Sequence, residues 1–137
     1  MDGLSIAASI TAVVQIAGSV ITYLSDVKHA PKECGKCLME VSHSTIFLLK
    51  LKDRVSESSF TDSWFTEVQA LARKDGPLDQ YKLALEELVA KVAPKAKVQK
   101  LATVLMWNFI KEEVARISAR MERLQTLVSI ALEMDQL

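Results

Sequence analysis

Apolar residues recur at three- and four-residue spacings along most of the chain, which predicts helices almost throughout. The first segment stands apart. From Gly3 to Ser25, GLSIAASITAVVQIAGSVITYLS contains no Asp, Glu, Lys, Arg or His. On a helical wheel Ile6, Ile10, Val13, Val14, Ala17, Val20, Ile21 and Leu24 share one arc, while Ser5, Ser9, Thr11, Gln15, Ser19 and Thr22 lie opposite or at its edges. A second helix is predicted from about Pro31 to Val55, turning Cys34, Leu38, Val41, Leu48 and Val55 inward. SESSFTDS breaks that pattern. A short third helix follows from Thr61, with Trp64, Phe65, Val68, Leu71 and Ala72 on its apolar face. Gly76 and Pro77 close it and open a fourth, in which Leu78, Tyr81, Leu85, Leu88 and Val92 recur before an end near Pro94. The last helix carries Ile110, Val114, Ile117, Met121, Leu124, Val128 and Ala131 at alternating spacings of four and three, a heptad seam. Lys111, Glu112, Arg116, Arg120 and Arg123 stay off it, and Glu112 can pair with Arg116 across one turn. The fold class is therefore all-α: one domain over residues 1–137, a bundle of four to five helices with a hydrophobic first helix and a long C-terminal heptad helix.

The first helix is long enough for a second role. Its 23 residues would span roughly 34 Å at about 1.5 Å per residue, against a hydrocarbon core of about 30 Å. Its nine large aliphatics, Leu4, Ile6, Ile10, Val13, Val14, Ile16, Val20, Ile21 and Leu24, each favour insertion by only about 0.3 to 0.6 kcal/mol at the helix centre, so permanent insertion is marginal. A secretory signal peptide fits poorly, because the segment follows an acid, Asp2, and the first basic residue is Lys28. The same scarcity of flanking positive charge argues against a fixed anchor.

Seventeen basic and seventeen acidic side chains cancel. That balance removes the general case for a nucleic-acid partner, which requires a basic face. One local patch remains, KVAPKAKVQK, where Lys91, Lys95, Lys97 and Lys100 occur without an acid and form a candidate contact for anionic lipid headgroups. The competing reading is a solvated loop around Pro94.

The two cysteines, Cys34 and Cys37 in ECGKC, have the spacing of a redox dithiol, but no strand feeds them as that chemistry requires. A zinc site with His29 and His43 would need the helix to break, since His43 lies about 9 Å beyond Cys37 along a helix axis. The simpler reading places both thiols against a helix-packing face, with the histidines near the surface and the compartment reducing. No Gly-rich phosphate loop, paired-carboxylate motif or Ser/His/Asp signature is present, so neither an enzyme nor a bound cofactor is expected.

The opening MDGLSIAASI, the YLSDVKHAPKE after the first helix, GPLDQYKLALEEL, and WNFIKEEVARISARMERLQTLVSIALEMDQL together resemble the fungal HeLo-like domain. That domain stands at the N-terminus of fungal NLR-type (STAND) proteins, ahead of a nucleotide-binding module and often repeats. The resemblance runs nearly the full length and is most specific in the final block. It implies a helical bundle related to the HeLo domain of heterokaryon-incompatibility proteins and similar to the killer bundle of the animal necroptosis executioner. It further implies an innate-immunity effector that oligomerises, moves from the cytoplasm to the plasma membrane and causes programmed cell death through its first helix. No nucleotide-binding motif occurs in these residues, so that module would belong to a longer chain. The first helix carries no acid to line a cation pathway, so permeabilisation is expected without ion selectivity. The alternative is a non-lytic oligomerisation or adaptor module, its first helix permanently core.

Overall fold

The structure is a computed structural model that describes residues 3–27, 30–57, 63–96 and 103–135. Among the described residues it is an all-α bundle of five helices: α1 (Gly3–Ser25), α2 (Lys32–Glu57), α3 (Ser63–Ala72), α4 (Pro77–Ala96) and α5 (Thr103–Asp135).

Heptad spacing decides how three of them pack. The core positions of α1 are Ile6, Ile10, Val13, Ala17, Val20 and Leu24, and those of α2 are Cys34, Cys37, Val41, Ser44, Leu48, Leu51 and Val55. In α5 they are Ile110, Val114, Ile117, Met121, Leu124, Val128 and Ala131. Each series alternates threes and fours, the spacing that keeps one face toward a neighbour over many turns.

The neighbours run in the cyclic order α1, α2, α5, α4. Gly3 lies against Val55, so α1 and α2 are antiparallel. Gln125 bonds Ser44 and Ser118 lies beside Cys37, a constant offset that makes α2 and α5 parallel. Lys91 with Glu113, Glu87 with Arg116 and Gln80 with Arg120 set α4 antiparallel to α5. The short α3 packs on α5, α4 and α1 and brings Trp64 and Phe65 into the core edge-to-face, ring centroids 6.3 Å apart. Ile6, Leu51, Leu71, Leu78 and Leu124, one from each helix, line a single apolar void of about 10 Å³.

Several expectations shift by a turn or a partner. α2 starts at Lys32, with the Pro31 carbonyl accepting from the Cys34 amide 3.1 Å away, so Pro31 stands just outside the helix. Leu38 is only partly buried, and Cys37, Ser44 and Leu51 complete the α2 seam instead. α4 passes through Pro94 to Ala96. Only two helical residues follow that proline, and its missing N–H removes one bond near an end where bonds already run out. At the α3–α4 turn the positive φ belongs to Asp75 (61°), not to Gly76. Gly76 answers to close approach: a Cβ there would lie 2.9 Å from the Arg73 carbonyl oxygen. Arg116 pairs across the helix interface with Glu87 of α4 rather than along α5 with Glu112. Thr61, which was to begin the third helix, lies outside the described residues.

Candidate membrane-engaging site

α1 is held in the bundle by its seam. Ile6, Ile10, Val13, Val20 and Leu24 are in the core; Val14, Ile16 and Ile21 pack partly buried on its margin; Leu4 is 82% exposed. Burying the five core aliphatics contributes on the order of 7 to 15 kcal/mol as an upper estimate. That is comparable to the whole stability of an ordinary domain, about 5 to 15 kcal/mol. A lone bundle therefore keeps α1 closed.

Four hydroxyls of α1 are satisfied within the helix itself, as Ser and Thr hydroxyls of α2 and α5 also are. Ser9 donates to the Ser5 carbonyl, Thr11 to Ala7, Thr22 to Gly18 and Ser25 to Ile21, at 2.6–3.1 Å. Each is a bond to the helix's own preceding turn, so these four hydroxyls would remain satisfied if the surrounding helices were exchanged for lipid. Among the described residues α1 is the one helix long and apolar enough to cross a membrane. Its outward face carries Gln15, Gly18 and Ser19.

Of the four lysines proposed for lipid headgroups, the structure joins one to the bundle. Lys91 makes a 2.9 Å ion pair with Glu113 of α5 and stands 4.5 Å from the Phe109 ring centroid. A headgroup would have to compete with both. Lys95 lies in the last turn of α4, in helix rather than loop, while Lys97 and Lys100 fall outside the described residues. The α5 seam residues Ile110, Val114, Ile117, Met121, Leu124 and Val128 are all buried against the bundle itself.

Between α2, α4 and α5 lies a partly buried polar layer. Gln125 donates to the Ser44 hydroxyl at 2.8 Å, Ser44 lies beside Tyr81, and the Tyr81 hydroxyl points at the Met121 sulfur 3.9 Å away. One turn along, the Ser118 hydroxyl lies beside the Cys37 thiol. Among the described residues no buried side-chain nitrogen or oxygen lacks a partner. Burial pushes the Cys37 thiol up to about 11, with the Ser118 hydroxyl pulling the other way and the charges of Cys34 and Glu40 adding to the rise. Burial raises Cys34 and Tyr81 as well. Thiols held protonated at neutral pH are poor nucleophiles and poor ligands. His43 is exposed while both cysteines face the core, and His29 lies outside the described residues. No group of three or more His, Cys, Asp or Glu among the described residues is placed to hold a metal.

No family model, curated protein or solved structure matches the chain.

Two features escaped sequence reasoning. Ser44 and Tyr81 place hydroxyls in the core, and α2 exposes Met39, Ile46, Phe47 and Leu49. This exposure had a signal: in IFLLKL, Ile46–Leu51, five of six positions are apolar, so no helical face there is wholly polar.

Proposed function

We propose that this chain is a HeLo-like effector domain of a fungal immune or self-recognition receptor, which kills the cell by releasing α1 into the inner face of the plasma membrane after oligomerisation. The resemblance of its sequence blocks suggests the role. The observation that carries the mechanism is the construction of α1: uncharged from Gly3 to Ser25, of spanning length, and with Ser9, Thr11, Thr22 and Ser25 bonded within the helix. Such a helix can exchange protein for lipid without opening a hydrogen bond at those residues. Its marginal insertion energy and its large share of the core keep the single copy closed. Clustering changes the balance, because several marginal insertions at one place add while each copy gives up the same core.

The burial of the α1 seam favours a second reading, a non-lytic oligomerisation or adaptor module in which α1 never leaves. Gln15 separates the two. It is exposed near the middle of α1, so Gln15→Glu and Gln15→Lys leave the bundle intact. At a bilayer centre each charge costs about 2.5 to 3.5 kcal/mol. With dye-loaded vesicles containing anionic lipid, wild-type protein should release dye, and both variants should release markedly less while melting at the wild-type temperature. Equal release by all three would sink the insertion mechanism. A folded wild-type protein that leaks no vesicle, even when chemically crosslinked into oligomers, would favour the adaptor module.

A further inference from the structure

The outward face of α2 has a charge order that matches its own reverse. Met39 (61% exposed), Ile46 (52%) and Phe47 (40%) place apolar area on this face, while Leu49 (42%) lies on the other side of Ile46, outside it. Residues seven apart share a row, so Met39, Ile46 and Asp53 form the outermost one. Beside it run Lys36, His43, Lys50 and Glu57, and then Glu40, Phe47 and Arg54 on the α5 side. Each of the last two rows changes sign from end to end, in opposite senses: Lys36 to Glu57, and Glu40 to Arg54.

We infer that α2 is a self-association surface whose partner is α2 of a second copy, packed antiparallel about a two-fold axis at Ile46 and Phe47. An isologous contact places the same patch on both sides, and antiparallel helices bring equivalent rows together. With Ile46 and Phe47 flanking the axis on either side of the Lys36–Glu57 row, Lys36 of one copy meets Glu57 of the other, Glu40 meets Arg54, Met39 meets Asp53, and His43 faces Lys50; the two-fold repeats each pairing. Within one chain Lys36 already lies 3.8 Å from Glu40, and Arg54 lies 3.5 Å from Glu57. The two-fold joins these pairs into a cluster of four alternating charges at each end of a centre formed by Ile46, Phe47, His43 and Lys50. Networks of this kind contribute more than isolated surface pairs and fix register. From Lys36 to Glu57 the contact would be roughly 32 Å long at about 1.5 Å per residue, a single helix pair and thus a small, reversible interface.

This gives the oligomerisation in the proposed function a face, but it is tested in solution without lipid, so its failure and that of the membrane reading are separable. Sedimentation velocity over a concentration series should show a monomer–dimer equilibrium that weakens with added salt. Ile46→Glu should weaken dimerisation roughly tenfold or more, as a buried unpaired charge does. Leu83→Glu, at a comparably exposed apolar position on α4 (58%), should leave it unchanged. K36E and E57K should each dimerise poorly alone, whereas an equimolar mixture should pair, because Glu at 36 in one chain then faces Lys at 57 in the other. A protein monomeric at every concentration overturns the proposal. So does a dimer insensitive to Ile46→Glu, and a mixture that fails to recover pairing overturns the antiparallel register.

Discussion

Gly18 and Gly76 show how much a single side chain's surroundings decide. A Cβ built on Gly18 meets nothing within 4 Å, and Gly18 sits in the interior of α1. Gly18→Ala should therefore stabilise the protein by about 0.5 to 1 kcal/mol, the backbone entropy a helical glycine costs. Gly76→Ala should do the reverse, by about 1 to 3 kcal/mol, since its Cβ would press on the Arg73 carbonyl oxygen at 2.9 Å. Urea unfolding of the two variants should move the midpoint in opposite directions. Cys37 makes a pH prediction of definite sign. Its folded-state thiol titrates near 11 and an unfolded one near 9. Between those values the unfolded chain has lost a proton that the folded chain still holds, so stability falls as pH rises. The full stability is present below about pH 9, and roughly 2 to 3 kcal/mol of it is lost by the time pH passes about 11. Tyr81, raised by burial, acts in the same direction. Cys37→Ala should flatten the alkaline slope in urea unfolding without abolishing it.

At the scale of the helices, α4 and α5 are joined by one buried charge. Glu113 is 9% exposed and is met by Lys91 at 2.9 Å, so Lys91→Met should cost about 1 to 3 kcal/mol by leaving the carboxylate unpaired. Adding Glu113→Met should recover most of it, which a double-mutant cycle on thermal unfolding would show. This pairing also explains where sequence reading stopped. The α5 seam was legible residue by residue, because a heptad pattern depends only on local spacing. The α1 arc was legible too, although burial narrows it to one seam and moves Val14 and Ile21 to the margin. In α2 the pattern was blurred: Ser44 sits at a core position because Gln125 satisfies it from α5. Which lysine finds an acid, and which arginine reaches across to α4, depends on a helix 22 to 29 residues away, and no local spacing contains that. The α1 hydroxyls are the reverse case, since an i to i−4 bond is available to any Ser or Thr in a helix. The candidate site was thus legible as a segment, while its closure against the bundle was not.

For the molecule as a whole, α1 cannot be removed as a detachable arm. It packs along α2 and α4 and touches α3. Deleting residues 1–25 would uncover the faces of α2 and α4 that its seam now covers, and would remove about 7 to 15 kcal/mol of apolar burial from a fold whose total stability is of that order. The truncated chain should keep much of its far-ultraviolet helix signal, because the remaining heptads still favour helix. It should lose its cooperative melt, bind an apolar dye such as ANS, and expose the normally buried Cys34 and Cys37 to a thiol reagent. In the intact protein those thiols should react slowly. A cooperative melt with both thiols still protected after truncation would show that α2 to α5 form a stable bundle alone. That outcome would lower the cost of releasing α1 and make a single copy competent to open. The predicted outcome has the opposite consequence. If the rest of the bundle loosens whenever α1 leaves, release exposes the apolar faces of α2 and α4 together with α1. Copies opening side by side can bury those faces against one another, so the energy lost from each core is partly regained between copies. Opening should then rise more steeply than linearly with protein density on a membrane, measurable as thiol labelling against surface concentration on anionic vesicles. Labelling that rises in simple proportion would mean that each copy opens by itself.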